Sequence, residues 1–199
     1  MKYMTSIITS LLCLLCASVF AQPVPTAKTT AAPAAATQTY TAAEQQRLGF
    51  CVSLSVNAYV IAGYKLHGDP KEVPKKLFAT NPSANVLLPM VDTVYSDTVT
   101  DAWSYAGAFY RDCAEQLAKF APERVGDTEP CMYTAVIAAT ARTARAAGTP
   151  KDKVYTIYAK QGPEARRIID SIYAPPAVPA DGTEMQVFSS CMVPLTAKG

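Results

Sequence analysis

CMYTAVIAATARTARAAGTPKDKVYTIYAKQGPEARRIIDSIYAPPAVPADGTEMQVFSSC, residues 131–191, repeats the punctuation of residues 51–113. Cys131 lies 80 positions after Cys51, and Cys191 lies 78 after Cys113. Between the cysteines, Gly148-Thr149-Pro150-Lys151 answers Gly68-Asp69-Pro70-Lys71. Ile169-Asp170-Ser171-Ile172-Tyr173 answers Val91-Asp92-Thr93-Val94-Tyr95, and Phe188 answers Tyr110. A gap of two residues brings the two stretches into register. This is the mark of an internal duplication of a helical unit, each copy bounded by two cysteines. The expected fold is all-α: two tandem disulfide-bridged helical repeats, 41–121 and 122–199, packed as one helical domain of seven or eight helices.

The start of the chain reads as an export signal over 1–21. Lys2 precedes an apolar run from Ile7 to Phe20, and Val19-Phe20-Ala21 forms a small-residue cleavage site. That run is shorter than the ~20 residues a membrane-spanning helix needs, and no later stretch is long and apolar enough. A lipid anchor on Cys16 is disfavoured by Leu15, where a small residue would be expected. The expectation is an exported protein of the bacterial periplasm without a transmembrane segment, secretion or lipid anchoring being the alternatives. Residues 22–40, mostly Ala, Pro and Thr, read as a disordered linker.

Removal of the signal leaves Cys51, Cys113, Cys131 and Cys191, an even set in an oxidising compartment. Three pairings are open. The duplication favours Cys51–Cys113 with Cys131–Cys191, each unit closing itself. The alternative, Cys51–Cys131 with Cys113–Cys191, would staple one unit to the other. A bridge closing ~60 residues contributes roughly 4 kcal/mol by restricting the unfolded chain.

Helix signals follow the same order in both units. Thr41-Ala42-Ala43-Glu44 spells a capping box, and the helix it opens should stop at Gly68. Leu48, Cys51, Val52, Tyr59, Ala62 and Leu66 share one face of it. A short helix after Asp69-Pro70, one from Asn81-Pro82 to about Tyr95, and one after Asp101 complete the first unit. Glu123 to Pro130 reads as the connection, with a turn at Gly126-Asp127 and a helix start at Thr128-Glu129-Pro130. The second unit then runs from Cys131 to Ala147, Pro150 to Gln161, Pro163 to Tyr173, and, after a loop from Pro175 to Gly182, Thr183 to Met192.

The chemistry-bearing residues are few. His67 is the single histidine and sits in a last helical turn, where a cation is favoured anyway. No C-x-x-C pair is present, so no metal site is expected, and no motif implies a cofactor. Glu123, Asp127 and Glu129 could form a carboxylate pair for sugar hydrolysis, yet acidic residues are expected before a helix in any case. Asp92 and Asp170 could be matching ligand sites, but the apolar residues around them have core spacing.

Charge supplies the one candidate surface. The net charge of +2 argues against nucleic-acid binding. Cys131 to Tyr173 nevertheless carries seven basic and three acidic residues, against five and six from Cys51 to Cys113. Arg142, Arg145, Arg166 and Arg167 are the candidate contacts to a protein with an acidic surface, because guanidinium groups suit bidentate pairing. The functional expectation is a non-enzymatic exported protein that binds another protein, such as an inhibitor or immunity protein. The alternatives are an envelope stress chaperone and a cell-wall-acting hydrolase.

Overall fold

A computed structural model describes residues 39–175 and 183–196. The stretch read as an export signal, most of the stretch read as a linker, and the greater part of the loop before residue 183 lie outside these residues. Helix α1 spans Ala42–His67 and opens on the expected capping box. The Glu44 amide donates to Thr41 Oγ1 at 3.2 Å, and the Thr41 amide donates to Glu44 Oε2 at 2.8 Å. It ends at Gly68, whose φ of 88° is the left-handed conformation that glycine adopts without a side-chain clash. Helices α2 (Glu72–Phe78), α3 (Ala84–Ser96) and α4 (Ala102–Gln116) follow, the last capped by the Asp101 carboxylate on the Ser104 amide.

The following helix departs from the expected turn at Gly126-Asp127. α5 runs unbroken from Pro122 to Ala146, with Pro130 inside it. Pro122 occupies the first turn, where its missing N–H costs nothing. Pro130 removes the bond to the carbonyl of Gly126, an interior defect that ordinarily costs roughly 3 kcal/mol. Continuity wins because one buried stripe crosses the proline: Val125, Thr128, Met132, Ala135 and Val136 are all fully inaccessible. Each large apolar member adds about 1.5–3 kcal/mol, and a break would expose the first turns.

Beyond α5 come α6 (Lys151–Ile157), a 3₁₀ turn at Ala159–Gln161, α7 (Gly162–Tyr173), α8 (Thr183–Met192) and a final 3₁₀ turn at Val193–Leu195. Eight α-helices and no strand are present among the described residues. The two ends of the described residues meet in one bridge. The Tyr40 amide donates to the Leu195 carbonyl at 2.8 Å, and the Tyr40 side chain is buried against Phe120 and Arg124. Tyr40, at the edge of the stretch read as linker, is thus part of the core.

Disulfides join Cys51 of α1 to Cys113 of α4, and Cys131 of α5 to Cys191 of α8. The pairing is the expected Cys51–Cys113 with Cys131–Cys191. Both bridges lie in the central core, with Leu48, Val52, Tyr110, Val125, Met132, Phe188 and Met192. Two outer cores flank it. One packs Ile61, Phe78, Leu87, Met90, Val91 and Val94 among α1, α2 and α3. The other packs Ile137, Val154, Tyr158, Ile168, Ile169 and Ile172 among α5, α6 and α7.

The same polar bonds tie both outer cores. Tyr95 donates its hydroxyl to the Asp69 carbonyl at 2.8 Å, and Tyr173 does so to Thr149 at 2.8 Å. Lys65 donates to the Val94 and Tyr95 carbonyls at 3.0 and 2.9 Å, while Arg145 donates to those of Ile172 and Ala174. Asp92 accepts from Lys75 and Lys71, and Asp170 from Lys151 and Tyr155. These aspartates are therefore clamps across two helices, and the neighbouring Val91, Val94, Ile169 and Ile172 are buried.

Candidate functional site

The four candidate arginines fall in three places. Arg142 reaches from α5 toward α8, its guanidinium 3.9 Å from Glu184 Oε2, with its side chain 27% exposed. Arg145, one turn on, donates to the carbonyls of Ile172 and Ala174 at the end of α7, the latter at 3.1 Å. Those carbonyls have no intrahelical donor, so a cation there satisfies both hydrogen bonding and the helix dipole. Arg166 lies on the exposed side of α7 with its guanidinium 4.7 Å from the centre of the Tyr155 ring. Arg167 is 75% exposed and pairs with Glu164 in the turn before it. Arg166 is brought together with Lys151 around Tyr155, whereas Arg142 and Arg145 are turned to separate internal partners.

The carboxylates considered for hydrolysis are divided in the same way. Glu129 pairs with Arg111 at 2.5 Å and accepts from the Tyr133 hydroxyl at 3.2 Å. Burial, then the negative charge of Glu129, pushes the Tyr133 hydroxyl up to about 12. Glu123 and Asp127 lie exposed on the first turns of α5. His67 is exposed and contacts Asp69 at 3.1 Å. Among the described residues no three His, Cys, Asp or Glu side chains group as metal ligands would.

Tyr133 also belongs to an aromatic seam. The single tryptophan, Trp103 of α4, stacks on it with ring centres 4.3 Å apart and planes 9° from parallel. Tyr59 meets Trp103 edge-on at 6.2 Å, and Tyr158 lies 6.1 Å away. Trp103 and Tyr59 pack against both the central core and the α5–α7 core. These rings are accounted for as packing between the two helix groups.

A second surface was not singled out by the sequence. α1 and α4 run antiparallel across Cys51–Cys113 and leave a groove of about 320 Å³ between Leu54, Phe109, Cys113 and Leu117, with Asp97, Tyr105 and Asp112 at its rim. Past Leu117 it continues into a hollow formed by Gln46, Arg47, Phe50 and Ala118. Leu117 is 65% exposed and Phe50 53% exposed, large apolar side chains in water at the same spot. The signal available in the sequence was weak: Phe50 sits beside Cys51 but off the buried stripe of α1, and Leu117 follows the last turn of α4.

α5 and α8 form the corresponding groove beside Cys131–Cys191, about 390 Å³ in volume. Thr134 stands there in place of Leu54, Val187 in place of Phe109, and Ser190 in place of Asp112. Ile168, Glu164 and Gln186 complete the lining of this second groove. Compared with protein-family models, curated proteins and solved structures, the chain matches none of them.

Proposed function

We propose that this chain is a non-enzymatic protein of the bacterial envelope that works by holding another protein, in the manner of an inhibitor or immunity protein. The observation that carries the reading is the apolar groove beside Cys51–Cys113, lined by Leu54, Phe109 and the exposed Leu117, with the exposed Phe50 in the hollow on the other side of Leu117. Exposed apolar side chains grouped over walls of the same kind offer the desolvated centre from which protein interfaces draw most of their affinity. The two disulfides suit an oxidising compartment, and Cys51–Cys113 ties the α1 and α4 walls together without a partner.

The matching cysteine bridges, tyrosine clamps and lysine–aspartate pairs support a duplicated origin for the two helix groups. On that view one copy retained a polar groove and the other became the contact surface. A contact to an acidic partner is supported on the opposite group by Arg166 with the exposed Lys153 and Lys160. Arg145 is spent on hydrogen bonds to the end of α7, and Arg142 faces Glu184 of α8 as an ion pair at 3.9 Å without a hydrogen bond, so neither is offered to a partner in the way Arg166 is.

The test is affinity capture from envelope extracts of the source cell and of competing bacteria, comparing the natural protein with Leu117→Asp and with Arg166→Glu/Arg167→Glu. One stoichiometric protein lost with Leu117→Asp is the expected result. Many substoichiometric clients would replace this reading by the chaperone. A partner captured equally by both variants would remove both surfaces.

A further inference from the structure

We infer that Cys131–Cys191 is a thiol-exchange site, opened by a dithiol reductant that attacks Cys191, while Cys51–Cys113 is the permanent bridge of the fold. The two bridges join cysteines 60 and 62 positions apart, so chain entropy does not distinguish them. Access does. Exchange begins when a thiolate reaches a disulfide sulfur, and its rate depends on which sulfur can be approached. Cys51 is 0% exposed, Cys131 3% and Cys113 5%. Cys191 alone among the four is half-buried, and it lines the groove of about 390 Å³ between α5 and α8.

The surroundings act in the same direction. Cys191 shares its groove with Thr134, Gln186 and Ser190, polar side chains that keep water beside the bridge. The charged member of that lining, Glu164, pairs with Arg167, which offsets its repulsion of an incoming thiolate. Cys113 also borders a groove, but Phe109 and Leu117 stand four residues before and after it, and Asp112 is its chain neighbour. A thiolate entering there would lose water against apolar side chains and meet the carboxylates of Asp112 and Asp97.

The reductant's thiolate bonds to Cys191 Sγ, the bond to Cys131 Sγ breaks, and Cys131 leaves as a thiolate that takes up a proton. The reductant's second thiol then displaces Cys191 and closes its own disulfide, so two electrons pass from the dithiol to the bridge. α8 keeps its hold on the central core through the buried Phe188 and Met192, so the helices stay in place when this bridge opens.

The experiment is timed reduction of the folded, oxidised protein by dithiothreitol without denaturant. Samples are quenched with iodoacetamide, mapped by peptide mass spectrometry, and followed by circular dichroism. Cys131 and Cys191 are expected to be alkylated about tenfold sooner than Cys51 and Cys113, or more, with the helical signal retained. Simultaneous labelling of all four, earlier labelling of Cys51 and Cys113, or loss of helix in step with the first labelling would overturn the inference. Single variants identify the sulfur attacked. Cys131→Ser leaves the Cys191 thiol, which is expected to form a mixed disulfide with glutathione disulfide in the folded state. Cys191→Ser leaves the Cys131 thiol, which is expected to react only on unfolding. The opposite order would overturn the assignment of Cys191. Should either variant fail to fold, brief treatment of the natural protein with glutathione reads the same point: glutathione found on Cys191 supports the assignment, and glutathione found on Cys131 overturns it.

Discussion

Gly107 and Tyr133 fit together because Gly107 has no side chain. A β-carbon added there would lie 2.1 Å from the Tyr133 hydroxyl and 2.9 Å from Glu129 Oε1. The tyrosine cannot retreat freely, since its ring is stacked on Trp103 and its hydroxyl donates to Glu129. In an exposed helix, Gly→Ala would gain about 1 kcal/mol. Here the gain is outweighed by overpacking, typically 1–3 kcal/mol, so Gly107→Ala is expected to destabilise by roughly 1–2 kcal/mol. Urea unfolding measures it, and Tyr133→Phe should reduce the cost of Gly107→Ala by removing the closest atom.

Glu44 joins the start of α1 to α5. Its carboxylate caps Thr41 and pairs with Arg124 at 2.7 Å, both side chains being mostly covered. The Arg124 hydrogen bond, then the Thr41 amide, holds Glu44 down to about 2 from an ordinary value of 4.5. A depressed carboxylate stabilises the fold fully above its unfolded pKa and loses that contribution as pH falls through the folded value. The Glu44 contribution should therefore fade from about pH 4.5 and be gone below about pH 2. Glu44→Ala is expected to cost about 1–2 kcal/mol at neutral pH from the lost cap and ion pair. The difference from the natural protein should shrink across that acid window, read by chemical denaturation at each pH.

Arg145 and the pair Arg166 and Arg167 separate structure from surface. Arg145→Ala removes the donor to two carbonyls at the end of α7 and is expected to cost about 1.5–3 kcal/mol, the range for charged hydrogen bonds. Arg166 and Arg167 are themselves exposed, Arg166 resting on the half-buried Tyr155 ring, and Arg166→Ala/Arg167→Ala should stay within about 0.5 kcal/mol for each site. Thermal unfolding of both variants distinguishes them, and equal losses would contradict the assigned roles.

Trp103 packs against the central core and the α5–α7 core at once. Its fluorescence is therefore expected to change in the same transition as the far-ultraviolet circular dichroism, as for cooperative two-state unfolding. A fluorescence change that precedes the loss of helix would mean that the two helix groups part before they melt.

How far the sequence carries can be judged at single residues. Thr41 and Glu44, Gly68, Asp101 and the four cysteines were legible because capping, left-handed backbone and bridge formation depend on a few neighbours. The turn expected at Gly126-Asp127 did not form, because local breakers were overruled by a buried stripe running from Val125 to Val136. Arg142 and Arg145 read as candidate contacts to an acidic partner. Their real partners, Glu184 and the carbonyls of Ile172 and Ala174, lie far along the chain. Local patterns record what a residue type prefers, and partners from distant helices decide whether that preference is used inside or offered outside.

By itself, the sequence determined the helical class, the caps that start and stop the helices, and a spacing of cysteines that makes one pairing the natural one. Each of these follows from backbone sterics, hydrogen-bond supply or chain connectivity over short range. Only the tertiary structure decided that α5 is continuous, that two of the four arginines serve the fold, and that Phe50 and Leu117 stand in water over an apolar groove. Burial is a property of the assembled helices: the same leucine is core or contact surface according to which helix lies above it, and no local pattern carries that information.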